Sequence, residues 1–486
     1  MSGQKRVVII GAGLSGLSAA RFLTSNGVEV DVLEAKDRVG GRTLTDENGI
    51  DLGGTFVGED KKRSLYLAEQ LGVTTIPVYK DGLNTFSIDG KVAHTMSPIP
   101  DLSVLDPFSL LALVRAMKEI DKKGNEIPLE DPWNAPNAQK WDSMTTEEWI
   151  KSHTILPDAR AFMRFIVQVL LGVESWEISF LHFLWYIRVG HGIVGILTSA
   201  QDAVFDGGAQ QLSEKIANEL VGQVHLQHQV SSIIQTEDVV SVTTANGAVF
   251  SGDYCILAMT PGARNFINFS PPFDGLYHQL PQRMPMGAII KTFAFYSDTW
   301  WREKGFSGMS TVTDGAIGQT FDVTPPGGRP CIMGFVLGNQ AREWQTKSED
   351  ERKAIVCNEY ERLFSSQEAQ DIVQYYEKDW LTDTFTGGSG GVAPAGVTTS
   401  YRHAIRQKVN RLHFAGTETA TDWSGYMDGA IQSGWRASKE ILDKLGIPYT
   451  DPESEVQKMK VPETLRKTPF LCKTVIEEMV TKVSER

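Results

Sequence analysis

RVVIIGAGLSGLSAARFLTSNGVEVDVLEAKDRVGGRT, residues 6–43, decides the fold class. Arg6 to Ile10 reads as a buried strand, Gly11, Gly13 and Gly16 space a GxGxxG turn, and Leu14 to Asn26 carries apolar residues at helical spacing. Each glycine has its own task at a dinucleotide. Gly11 permits the tight turn, Gly13 lets a pyrophosphate approach the backbone, and Gly16 lets the helix lie close to the sheet. The phosphates then meet free amides at the start of the helix. A second strand, Val28 to Leu33, ends at Glu34, whose carboxylate suits a ribose hydroxyl and disfavours a 2'-phosphate. A glycine-rich turn alone is weak evidence. Strand, turn, helix and acid in this order give a dinucleotide site in a Rossmann-like α/β fold.

Downstream, Gly40–Gly41 and Gly53–Gly54 make two more turns, with Arg42 a cation within reach of phosphates; ordinary hairpins are the alternative. A nicotinamide domain would pass straight into another strand and helix, so these loops favour a larger, buried cofactor. At 486 residues the chain exceeds one core, and two domains are expected. A formal charge of -13 gives no reason to expect a nucleic-acid partner. Cys255, Cys331, Cys357 and Cys472 show neither CxxC nor metal-ligand spacing, so no metal and a reducing, cytoplasmic setting are expected. No secretory leader, spanning helix or peroxisomal ending is expected, and a homodimer is compatible with the sequence.

From about Thr75 to Val204 the composition changes, with prolines marking connections and a helical region from about Thr145. Phe162, Phe165, Ile166, Val169, Leu170 and Val173 recur at helical spacing, mostly as core, with a few left to line a pocket. Short strands between Val224 and Ala258 are expected to return to the dinucleotide domain. MGAIIKTFAFY then gives a strand with Lys291 among apolar neighbours; this amine either has a buried partner or points to solvent. The acidic start of a helix at 347–364 reads as a solvated face. GGSGGVAPAGV, 387–397, either approaches a flat ligand or forms a surface loop. Residues 411–442 repeat the logic of the N-terminus: a strand at Leu412 to Phe414, a turn at Gly416, a helix from Met427. In the polar tail, 451–486, Phe470, Leu471, Val475, Ile476 and Val480 suit one amphipathic helix, expected to pack on the body rather than on a membrane surface.

GAGLSGLSAA with Glu34, then VGGRT, MGAIIK and FAGTETATDWSGYMDGA, resemble in order the flavin-dependent monoamine oxidase family, from about Arg6 to Leu445. The resemblance implies an FAD-binding domain assembled from 1–74, 206–280 and 383–450, an α+β substrate-binding domain from 75–205 and 281–382, and a tail from 451. It implies FAD contacts at Gly11, Gly13, Gly16, Glu34, Gly41, Arg42, Val230, Trp380, Gly416, Glu418, Tyr426 and Met427. Trp380 would pack beside the isoalloxazine. Glu418 would approach the ribityl and pyrophosphate region, its charge offset by helix amides and waters, or else cap a helix. Lys291 would hold a water near flavin N5, and Tyr426 would be one wall of an aromatic pair that orients the amine by shape and attraction. Substrate contacts are implied at Phe56, Val169, Leu170, Gln201, Phe205, Gln319, Phe335, Gly390 and Tyr426.

Two positions depart from the mammalian pattern. Where those members carry a flavin-linking cysteine followed by the second tyrosine of the pair, this chain has Ser389 and Gly390. FAD is therefore expected without a covalent bond, in a cage open on one side. Leu170, Phe56 and Gln319 also differ from the family, whereas Gln201, Phe205 and Phe335 are retained. The reaction implied is oxidation of a primary monoamine: a hydride equivalent passes to FAD, the imine hydrolyses to aldehyde and ammonia, and oxygen regenerates the flavin as hydrogen peroxide forms. A polyamine oxidase would need carboxylates along the channel, an L-amino-acid oxidase an arginine, and Arg188 and Asp202 are assigned to neither. A non-catalytic flavin-binding scaffold is the remaining alternative.

Overall fold

The computed structural model describes residues 4–101, 103–198, 201–462 and Leu465. The first strand, Arg6–Ile10, is the middle of a five-stranded parallel sheet ordered Leu412–Ala415, Tyr254–Ala258, Arg6–Ile10, Glu29–Leu33 and Val224–His225. Val7, Val8, Ile9 and Ile10 are all buried, as a strand covered on both faces requires. Alternation along that strand divides two cores. Val7 and Ile9 join the apolar faces of the helices Leu14–Ser25, Gln210–Glu219 and Met427–Leu445, while Val8 and Ile10 face a four-stranded sheet. That sheet runs Val249–Gly252, Val240–Thr244, Val230–Gln235, Asn268–Ser270. So only two of the short strands expected to return here enter the parallel sheet; the others pair mainly as antiparallel hairpins and form the layer that covers it.

The first and last long helices interlock. Ser15 Oγ lies 2.8 Å from Ser433 Oγ and accepts from Gly416 N at 2.8 Å. Gly434 has to be glycine, because a Cβ there would fall 2.2 Å from the Ser15 carbonyl oxygen.

Beside this region stands a seven-stranded mixed sheet ordered Gln374–Asp379, Ile289–Phe295, Cys331–Leu337, Gln319–Asp322, Phe306–Val312, Leu83–Ile88 and Lys91–Thr95. The helices Pro107–Gly124, Pro157–Leu171 and Phe180–Val189 share one apolar core, and Glu349–Phe364 covers the sheet's other face with Val356, Tyr360 and Phe364. Of the acids at the start of Glu349–Phe364, Glu351 forms a capping box with Ser348 that satisfies free amides, and Glu349 and Asp350 beside it complement the helix dipole. The architecture is α/β: a Rossmann-like region built from discontinuous strands, beside a separate domain of sheet and helices.

Among the described residues no helix is long and apolar enough to cross a membrane, and no His, Cys, Asp and Glu cluster has the makings of a metal site. Of the tail, a short helix Pro452–Lys458 is described, started by Asp451; the expected apolar set from Phe470 to Val480 lies outside the described residues.

Candidate active site

A cavity of about 430 Å³ takes its walls from both regions. At one end are Gly11, Gly13, Glu34, Gly41, Arg42 and Val230. Gly11 holds φ at +102°, and a Cβ there would lie 2.5 Å from the Ala258 carbonyl oxygen. At Gly13 a Cβ would meet nothing closer than 3.9 Å, because the space before it is cavity. Glu34 accepts from Ala12 N at 2.8 Å and Lys36 N at 2.9 Å, which fixes its carboxylate at the wall with lone pairs to spare. The helices Leu14–Ser25 and Met427–Leu445 both begin at the wall, and no side chain caps either. Backbone room, unsatisfied amides and a fixed acceptor together fit the pyrophosphate and ribose of FAD.

Two of the residues expected at the ligands do not line this cavity. Gly16 is off the wall; a Cβ there would lie 2.0 Å from the Gly11 carbonyl oxygen, so glycine is needed for the helix to pack close to the turn. Phe205 is also off the wall, buried in the core under the parallel sheet because its strand, Ala203–Phe205, pairs with Phe56–Val57 and Thr75–Pro77.

Glu418 lines the cavity. Its charge is met by Arg42, which donates to Oε1 at 2.6 Å and Oε2 at 3.1 Å, rather than by helix amides. Burial alone would raise this carboxyl, but the Arg42 charge and hydrogen bonds outweigh it and hold the group below its ordinary value. Two further buried guanidiniums, Arg264 and Arg402, feel the same carboxylate; burial lowers them to about 10 and about 9. Arg42 also donates to the Ser389 carbonyl oxygen at 2.7 Å, bringing the 387–397 glycine stretch to the cavity. A Cβ on Gly390 would meet nothing within 4 Å.

Lys291 is buried and partnered. Its strand, Ile289–Phe295, is covered on both faces, so no side of it reaches solvent. Nζ donates to Gly53 O at 2.6 Å, Thr55 Oγ1 at 2.6 Å and Asp51 O at 3.1 Å. Burial lowers the ammonium to about 8, and burial raises the nearby Asp51 carboxyl to about 7. Strand register aligns Lys291 with Phe335 and Phe335 with Gln319, so three residues from three strands form one row on the wall. Phe56, Val169, Leu170 and Gln201 join them. Trp380 is fixed by donating Nε1 to Leu52 O at 2.9 Å.

Tyr426 and Met427 line the cavity where the Met427–Leu445 helix begins. Burial lifts the Tyr426 phenol to about 12 against an opposing hydrogen bond with Tyr186, so it stays neutral at ordinary pH. Tyr186 also lines the wall and donates to Leu170 O at 3.3 Å. Sequence reasoning missed it, along with His182, because FLHFLWYIRV is buried at every position but Arg188 and periodicity singles out no member; Arg402, on the short turn Arg402–Ile405, carries no motif at all. Arg188 and Asp202 are not on the wall; Asp202 accepts from Lys80 at 2.6 Å.

The comparisons agree with this geometry. A family model described as flavin containing amine oxidoreductase matches residues 14–442. A flavin-containing amine oxidase of Danio rerio is 40% identical, covering 94% of this chain and 90% of its own length. Flavin-containing amine oxidase B of Homo sapiens is 37% identical, covering 97% and 93%. Among solved structures, cyclohexylamine oxidase from Brevibacterium oxydans superposes with a TM-score of 0.86 at 32% identity, covering 91% of this chain and all of that one. Wild-type putrescine oxidase bound to putrescine gives 0.87 at 28% identity, covering 90% and 99%. The chain belongs to the flavin containing amine oxidoreductases, an enzyme family whose FAD fold it carries through the parallel sheet, the glycine turn and the closing C-terminal helix.

Proposed function

We propose that this protein is an FAD-dependent oxidase of primary amines whose amino carbon is carried on a compact apolar body, an alicyclic or arylalkyl monoamine, with FAD held non-covalently. One observation carries this reading: Tyr426, Lys291 and an apolar wall of Val169, Leu170, Ile289, Phe335 and Phe56 share one cavity whose carboxylates are already engaged. Glu34 holds two amides and Glu418 holds Arg42, which leaves no free acid on the wall, among the described residues, for a second ammonium. Bound FAD supplies the two-electron acceptor and its return by oxygen, with hydrogen peroxide as product.

The chain's residues do the rest. Tyr426, neutral and hydrogen-bonded to Tyr186, offers a ring face against which the amine is oriented. The apolar wall excludes water and favours the unprotonated amine. Lys291 spends its three N–H bonds on protein oxygens, and the longest, 3.1 Å to Asp51 O, is the one a water can displace. Ser389, whose Oγ donates to Gly287 O at 3.2 Å, has no thiol to offer the flavin.

A diamine is the second reading, and the likeness to putrescine oxidase favours it over a mammalian-type monoamine. Burial raises the Glu59 carboxyl and the nearby Asp60 and Asp202 raise it further; Glu59 follows the wall residue Phe56 by three positions, and Asp202 directly follows the wall residue Gln201. Peroxide formation by the purified yellow protein from cyclohexylamine, phenethylamine, putrescine and a neutral L-amino acid tests both. Cyclohexylamine or phenethylamine leading supports the first reading, putrescine leading replaces it with the second, and protein without FAD, or inert toward all four, refutes both.

A further inference from the structure

Lys61 is a buried charge that the proposed reaction leaves unused. Its side chain is 2% exposed, and Nζ sits 3.6 Å from the centre of the Trp423 ring and 5.3 Å from that of Tyr426. Tyr426 lines the cavity whereas Lys61 and Trp423 do not, so the ammonium stands behind the wall. Trp423 is held there against its own backbone preference: φ is 48°, a left-handed conformation unusual for so bulky a residue. Its backbone N–H donates to Val189 O at 2.8 Å, its carbonyl accepts from Tyr426 N at 3.1 Å, and its ring meets Tyr426 edge-on at 5.0 Å.

The charges facing Lys61 are few and mostly committed elsewhere. Asp60 accepts from Nζ at 3.1 Å. Asp428 and Asp202 attract it from further off, but Asp428 is bonded to Arg63 and Asp202 to Lys80. His191, stacked on Trp423 and bonded to Asp422, repels it when protonated. Burial lowers the Lys61 ammonium, and the charge and hydrogen bond of Asp60 work against that loss.

We propose that Lys61 is a specificity-determining positioning residue: its charge behind Tyr426 disfavours a cation on the cavity face of that ring and so selects the amine in its neutral form. An aromatic face attracts one cation through its quadrupole, and a cation already on the far side opposes a second. Oxidation needs the nitrogen lone pair, so the selection serves the reaction. The inference rests on the amine oxidase reading only in placing substrate against Tyr426. Repulsion across roughly 9 Å at an effective dielectric of about 20, partly cancelled by Asp60, amounts to about a fivefold change in affinity.

The FAD-loaded wild type, Lys61→Met, Lys61→Gln and Lys61→Arg are titrated with benzyltrimethylammonium, a permanent cation, and with neutral benzyl alcohol, following the flavin spectrum. The cation-to-neutral ratio of dissociation constants falls about fivefold in the Met and Gln variants and stays at the wild-type value in the Arg variant. A ratio within twofold of wild type in both Met and Gln, an Arg variant behaving like Met, or no binding of the cation to any of the four overturns the proposal. The Gln variant serves where the Met variant does not fold. Because binding is read without turnover, inactivity toward every amine would refute the oxidase reading and leave the ratio measurable.

Discussion

Replacing Glu418 with Gln keeps the shape of the side chain and removes the charge on which three guanidiniums depend. Arg42 loses two charge-assisted hydrogen bonds, and the buried Arg264 and Arg402 lose the carboxylate that offsets their desolvation. Breaking a buried ion pair from one side costs about 3–5 kcal/mol, and Glu418, 3% exposed, sits at that end of the range. Arg42→Ala should cost less, about 2 kcal/mol, because Arg42 is 24% exposed and the other two arginines still face the carboxylate. Urea unfolding of apoprotein, followed by tryptophan fluorescence and repeated at a fixed excess of FAD, separates the fold's loss from weaker cofactor binding. The sign with pH follows. The folded-state carboxyl lies below its ordinary value, so its contribution is complete above the unfolded-state value of 4.5 and is lost as pH falls through the folded one. Glu418→Gln therefore flattens the acid limb of the stability curve. A Gln variant within about 1 kcal/mol of wild type, or less damaged than Arg42→Ala, would refute the reasoning.

Lys291→Met should retain FAD while slowing its reoxidation by oxygen, measured by stopped flow; where the ammonium matters, wild-type reoxidation declines as pH rises through about 8, and the variant lacks that inflection. Unchanged oxygen reactivity would remove Lys291 from that role. Gly390→Phe should fold with stability within roughly 1 kcal/mol of wild type, since nothing stands within 4 Å of a Cβ there, and should raise KM for bulky amines more than for small ones. An unaltered substrate range would place Gly390 away from the amine. Acid precipitation of the holoprotein should leave yellow colour in the supernatant, because Ser389 cannot form a thioether; colour retained by the pellet would contradict this.

What the sequence made legible was local. The N-terminal strand, its glycine turn and its helix are written within twenty residues, and Glu34 follows at a fixed distance, so periodicity and turn chemistry suffice. Lys291 was undecided on pattern because its acceptors, Asp51, Gly53 and Thr55, lie more than two hundred positions away on a turn. Arg42 and Glu418 show the same limit; a charge and its counter-charge separated by 376 positions leave no periodic trace. The row from Lys291 through Phe335 to Gln319 exists only once strand register is set, and register is a property of paired strands. Phe205, named by the resemblance alone, lies in the core beneath the parallel sheet; an aromatic beside a pocket and one beneath a sheet obey the same alternation, so pattern does not separate them.

The interlock of the first and last long helices bears on how the protein is made. The central strand meets one neighbour, Glu29–Leu33, at once, but the other, Tyr254–Ala258, leaves the ribosome some 250 residues after it, and the strand that flanks that one, Leu412–Ala415, some 400 residues after. Until the helix that ends at Leu445 has been synthesised and docked, the pocket lacks its far side, and a nascent chain has nowhere to seat a flavin. A flavin would therefore seat only after the Met427–Leu445 helix has docked against the parallel sheet.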